Sequence, residues 1–217
     1  MILTIIVRIV HMWQATRNDK GQFLLEIAEV QGGYFTAKQA LKSGYSYRLQ
    51  HYHKSKGHWH EVDRGVFRLA NYPDSPYEDL IRWSLWGRNR EDIPQAVVSH
   101  ESALVVHELS DVMPGKIYLT IPPLFRKKMS PGCVIYRSII RPEDIEKRAG
   151  FLVTKPLKTI IDVAEGNLSL EQLEKAVRDA FNKGLLNIND IARAQMSNAA
   201  RGKLRIVMDS IKKNPLF

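Results

Sequence analysis

Apolar residues recur at helical spacing over Phe23, Leu24, Ile27 and Val30, and Gly32-Gly33 follows where a helix C-terminus should stop. Tyr34-Phe35 reads as a short extended piece. Thr36 predicts the cap of a second helix, TAKQALKSG, with Ala37, Ala40 and Leu41 on its apolar face and Gly44 at its end. Ser46 caps a third, YRLQHYHKSK, whose period turns Leu49 and Tyr52 inward and leaves Tyr47, Arg48, Gln50, His51 and Lys54 mostly outward. Beyond Gly57, WHEVD alternates, Arg64-Gly65 turns, and VFRLA alternates back, which predicts a two-stranded hairpin. Three helices and a hairpin, with GYS as the corner between helices two and three, predict a winged helix-turn-helix.

The pattern breaks at NYPDSP, residues 71–76, where two prolines and turn-forming Asn, Asp and Ser predict a linker. After it come an amphipathic YEDLIRWSLW and a helix in AVVSHESALVVHEL that Ser99 or Ser102 opens and Ala103, Leu104, Val106 and Leu109 line. IYLTIP and CVIYRSII read as strands, and KPLKTIIDVAEG and SLEQLEKAVRDAFNKG as helices, the second running from a Ser169/Gln172 capping signature to Gly184. Residues 189–213 read as one basic helical segment. The expected architecture is α+β: a winged helix-turn-helix domain over residues 1–73 and a mixed α/β domain over residues 74–217.

Length and charge fit that division. A chain of 217 residues exceeds the usual single domain. Its formal charge of +9 and pI near 9.6 imply an anionic partner. Residues 1–73 hold ten Lys/Arg against five Asp/Glu, and five of the seven histidines, so positive charge is densest there. Cys133 is the single cysteine, which leaves no intramolecular disulfide and points to a cytoplasmic setting. The opening MILTIIVRIV is too short to span a bilayer and lacks a basic flank or cleavage site. Residues 1–11 read either as a mis-assigned start ahead of Met12 or as an added edge strand.

The stretch from Gly44 to Phe67 gathers Arg48, His51, His53, Lys54, Lys56, His58, His60 and Arg64. On a helix in a major groove, Arg pairs with guanine and Gln with adenine in bidentate fashion, while Lys and Arg neutralise phosphates. The candidate DNA-contacting residues are Thr36, Lys38, Ser46, Tyr47, Arg48, Gln50, His51, Lys54, Lys56 and Arg64. A solvated face on a protein-interaction module for an acidic partner is the alternative. Metal binding is weaker: His58 and His60 share a strand face, but His51 and His53 point to different sides of their helix and no Cys or His pair has finger spacing. A metal-dependent nuclease would need carboxylates and a Lys together. Asp162 lies among apolar residues, and Glu143, Asp144 and Glu146 cluster at an expected helix start. Glu101 and His107, six residues apart, fall on opposite sides of their helix. No nucleotide-binding, hydrolase or zinc-protease motif is present. No catalytic residue, metal or cofactor is expected.

"GGYFTAKQALKSGYS", "DRGVFRLANYP" and above all "AVVSHESALVVHELSDVMPGKIYLTIP" resemble the AbiEi-type antitoxin and transcriptional-regulator family of type IV toxin-antitoxin systems. The resemblance spans most of residues 22 to 185. It implies a winged helix joined to an antitoxin domain, with repression of the protein's own operon through promoter repeats. It also implies a nucleotidyltransferase-like toxin, counteracted without a stable complex. The recognition helix would be Tyr47 to Lys56 and the wing His58 to Leu69. The histidine-rich wing and the apolar first ten residues depart from the family's pattern. One such helix reads few base pairs, so two copies on repeated half-sites, possible as a homodimer on DNA, are expected.

Overall fold

The computed structural model describes residues 17–127 and 132–213; the expectation for residues 1–11 lies outside them. The chain is mixed α+β and divides into two compact units, residues 1–93 and 94–217. The division therefore falls later than the linker expected at 71–76.

In the N-terminal unit, α1 (Arg17–Glu29) buries Leu24 and Ala28, with Ile27 beside them. Phe23 and Val30, expected on the same face, are exposed: Phe23 lies roughly 100° or more around the helix from the Leu24–Ala28 seam, and Val30 falls in the turn past its end. Gly32 and Gly33 end the helix at positive φ. A side chain on Gly33 would collide with Tyr72, its Cβ falling 2.4 Å from the ring, so this left-handed turn admits only glycine.

The predicted extended piece is β1 (Tyr34–Thr36), and the hairpin is β2 (Trp59–Asp63) and β3 (Val66–Leu69). They form one antiparallel sheet in the order β1-β3-β2, with a bulge at Glu61 to Asp63. Between β1 and β2 run α2 (Ala37–Lys42) and α3 (Tyr47–Ser55). Leu24, Ala28, Phe35, Ala40, Trp59 and Phe67 form the shared core.

Helix α4 (Glu78–Trp86) completes this unit and buries Ile81, Trp83 and Leu85. Arg68 of β3 reaches Glu78 at 3.0 Å and Asp74 at 2.7 Å. Past α4, buried Asp92 accepts from Thr36 Oγ1 at 3.2 Å and meets Arg88 at 3.4 Å and Lys42 at 3.7 Å. The polar linker composition at 71–76 marks a surface turn, and these contacts carry the unit on to Ile93.

The C-terminal unit holds a five-stranded sheet in the order β6-β5-β4-β8-β7. Its strands are β4 (Val97–Val98), β5 (Ile117–Ile121), β6 (Cys133–Arg137), β7 (Ile145–Lys147) and β8 (Leu152–Thr154). β5 with β6 and β4 with β8 are parallel; β4 with β5 and β7 with β8 are antiparallel. Helices α5 (His100–His107), α6 (Pro156–Glu165) and α7 (Leu170–Asn182) share a core with the C-terminal helices, centred on Leu104, Ile160, Leu173 and Leu204.

The acidic run at 143–146 does not start a helix. Pro142–Asp144 makes one 3₁₀ turn, and Glu146 then lies in β7, where pairing with β8 satisfies the backbone. The segment 189–213 is two helices, α8 (Ile188–Arg193) and α9 (Asn198–Lys213). Ala194 takes an extended conformation that interrupts them.

Candidate nucleic-acid interface

The corner between α2 and α3 is built from polar side chains. Thr36 caps α2 in a reciprocal box: its hydroxyl accepts from Gln39 N at 3.1 Å and Gln39 Oε1 accepts from Thr36 N at 2.7 Å. Gly44 ends the turn at φ +89, and Ser46 caps α3 by accepting from Leu49 N. Gln50 is only 4% exposed, and its amide donates to Ala37 O at 3.0 Å and Tyr45 O at 2.9 Å. Both amide hydrogens are thus used inside the corner.

That engagement, with His53 stacked on Trp59 (ring centroids 4.8 Å apart) and Tyr45 edge-on to Trp59, sets the rotation of α3. Gln50 and His53 face in. Arg48, His51, Tyr52 and Ser55 form the outward arc at i, i+3, i+4 and i+7. The predicted phase was therefore turned: Leu49 is exposed, and Tyr52, expected inside, is 48% exposed at the middle of the arc. The reason is that the inward positions go to hydrogen bonding and ring stacking rather than to the two most apolar side chains. The apolar period could not reveal this, because the carbonyls that draw Gln50 inward belong to Ala37 and Tyr45, outside α3.

The predicted DNA-contacting residues separate into two groups. Thr36 is buried and serves Gln39 and Asp92; Lys38 donates to Arg90 O at 2.7 Å; Ser46 is a cap; Gln50 is buried. Thr36, Ser46 and Gln50 brace the two helices, Lys38 ties α2 to residues 89 and 90, and Gln50, expected outward, faces in. Tyr47, Arg48, His51, Lys54, Lys56 and Arg64 are exposed. Lys54 bonds Glu61 at 2.7 Å, which holds the Glu61 carboxyl below its ordinary range. Arg48, Lys56 and Arg64 have no ion pair among the described residues. His53 and His58 meet, Nδ1 to Nδ1 at 3.1 Å, and tie the end of α3 to the start of β2. Among the described residues no three His, Cys, Asp or Glu side chains gather as metal ligands would.

A second polar cluster, which periodicity could not show, lies in the C-terminal unit. His100 opens α5 at φ +51, contacts Ser99 Oγ at 2.9 Å and stacks on Tyr136 with centroids 3.5 Å apart. Thr120 Oγ1 donates to Ser99 Oγ at 2.8 Å. Burial, and then the Lys158 charge, push the His100 imidazole down to about 4. Asp162 is paired with Lys158, yet burial pushes its carboxyl up to about 6, and its Oδ2 has no hydrogen-bond partner among the described residues. On the same helix as His100, His107 is buried and donates from Nε2 to Thr154 O at 2.7 Å.

Among the described residues, no helix is long and apolar enough to cross a membrane. No family model and no curated protein matches the chain. Its fold is similar to that of the RV2827C protein from Mycobacterium tuberculosis, whose crystal structure aligns over 90% of this chain and 78% of that one with a TM-score of 0.54 and 13% identity. At that identity the likeness speaks to fold alone.

Proposed function

We propose that the chain is a DNA-binding transcriptional repressor whose N-terminal unit is a winged helix-turn-helix, with α3 entering a major groove and the β2–β3 hairpin as the wing. The observation that carries this reading is the outward arc of α3 together with the state of the cations around it. Lys38, Lys42, Lys54, Arg68 and Arg88 are engaged by groups of their own unit. Arg48, Lys56 and Arg64, on the helix and at the hairpin turn, are left for an external anion, and Tyr47, His51 and Tyr52 add hydrogen-bonding and stacking groups beside Arg48. The resemblance of residues 99–122 extends the reading: an antitoxin of a type IV system that autoregulates through promoter repeats and opposes a nucleotidyltransferase-like toxin in the cytoplasm.

Fluorescence anisotropy of the purified protein on its own promoter and on a scrambled duplex, across a salt series, tests the proposal. Promoter binding that outlasts scrambled binding as salt rises is expected. Equal, salt-sensitive binding to both duplexes would reduce the surface to a general polyanion patch and sink the repressor reading.

A further inference from the structure

The C-terminal helical pair carries a surface unrelated to the basic helix of the other unit. Between α8 and α9 runs an open groove of about 270 Å³ whose floor is Ile191, Met196, Leu204 and Met208. Ile191 and Leu204 are buried in the core, so the floor is fixed, while the two methionines are unbranched and adapt to what lies on them. Ile188 at the mouth is 55% exposed.

The charge around this floor has one sign. Arg201, Arg205 and Lys212 line the groove, and no acidic residue does among the described residues. With Met208 they fall at i, i+4, i+7 and i+11 along one face of α9, so the three cations are spread over roughly 16 Å of helix axis. Arg201 donates to Ala194 O at 3.1 Å; Arg205 and Lys212 have no ion pair among the described residues.

We propose that this groove binds an amphipathic, acidic helical segment of a partner protein, one or two apolar side chains entering over Met196 and Met208 and carboxylates along the segment meeting Arg201, Arg205 and Lys212. The spread of the cations favours this occupant. The single headgroup of a small amphiphile reaches one or two of them, whereas carboxylates one helical turn apart reach all three. A bilayer surface would leave the concave floor unfilled. The proposal is independent of DNA binding, since it rests on residues of the C-terminal unit alone.

The test uses the full chain and a labelled 16-residue helical peptide with leucines at i, i+3, i+4 and i+7 and glutamates elsewhere. A counterpart with lysine for glutamate and a scrambled acidic peptide serve as controls. The acidic amphipathic peptide is expected to bind at least ten-fold more tightly than either control. Arg205→Glu with Lys212→Glu should weaken it at least ten-fold and turn the preference to the lysine peptide; both residues are exposed and have no ion pair among the described residues, so thermal melts should be unchanged. Ile188→Ser, at a side chain already largely in solvent, should weaken binding several-fold without that reversal. Equal binding of acidic and scrambled peptides, no binding, or indifference to the charge reversal would overturn the proposal. So would groove-dependent binding that is tighter to decanoate or to phosphatidylglycerol vesicles, or a homodimer in sedimentation that the same substitutions dissolve.

Discussion

Helices α3 and α9 both present cations to solvent, and what lies between the cations separates them. On α3 the space beside Arg48 is filled by His51 and Tyr52, groups that donate, accept and stack. On α9 the space between Arg205 and Lys212 is Met208 over an apolar floor. Positive charge therefore does not define a ligand class by itself. The first surface suits a hydrated, regularly charged backbone with polar edges; the second suits a partner that brings its own apolar side chains.

The supports of the two surfaces differ as well, which gives ways to break the comparison. The largest effect is expected from Gly33→Ala. It combines a left-handed backbone at φ +85 with a collision against Tyr72, and should cost about 4 kcal/mol by adding backbone strain to overpacking. Urea unfolding should show that loss, and DNA binding should fail while the α9 groove still binds its acidic peptide. Retained DNA binding would mean that α3 does not depend on this turn.

Acid separates the supports next. His100, lowered to about 4 from its ordinary 6.5, contributes stability above pH 6.5 that is lost as pH falls toward 4. Asp162, raised to about 6 from 3.8, contributes stability below 3.8 that is lost as pH rises through 6. Each arm is on the order of 3 kcal/mol, and they oppose one another between pH 4 and 6. Asp162→Asn should leave the histidine arm alone, so that urea midpoints fall steeply on acidification. His100→Asn, which tolerates the left-handed backbone, should give the opposite trend. Parallel profiles for the two variants would contradict this pairing.

A smaller loss is expected at Gln50→Ala, where two backbone carbonyls of the corner lose their donor, costing about 2 kcal/mol in urea unfolding. An unchanged midpoint would make Gln50 dispensable as a brace. The smallest effects concern DNA alone. Arg48→Ala should flatten the slope of log K against log salt by about one unit, and Lys54→Ala by less, because Glu61 already neutralises Lys54. The reverse order would move the interface from the start of α3 to its C-terminal end.

These expectations also show where the sequence was legible. Caps and glycine stops were: Thr36, Ser46 and Ser169 cap as read, and Gly33, Gly44 and Gly184 take positive φ, because each acts through its own backbone. The WHEVD and VFRLA hairpin was legible for the same local reason. The phase of α3 was not, since Gln50 is buried for carbonyls that come from residues 37 and 45. Nor were β4, β7 and β8, each two or three residues long and fixed by strands distant in sequence. The α8–α9 groove stayed hidden because one interrupted helix looks, in its period, like one continuous helix.

Thr36, Lys38, Lys42 and Gln50 are all engaged within the N-terminal unit, and of the outward arc at Arg48, His51, Tyr52 and Ser55 it is Tyr52 that leans on the mounting of α3, edge-on to His53 and His58. Exposed substitutions away from caps and buried bonds change stability little. Arg48 and His51 can thus be replaced with little effect on the aim of α3, whereas Tyr52 is coupled to it through the two histidines.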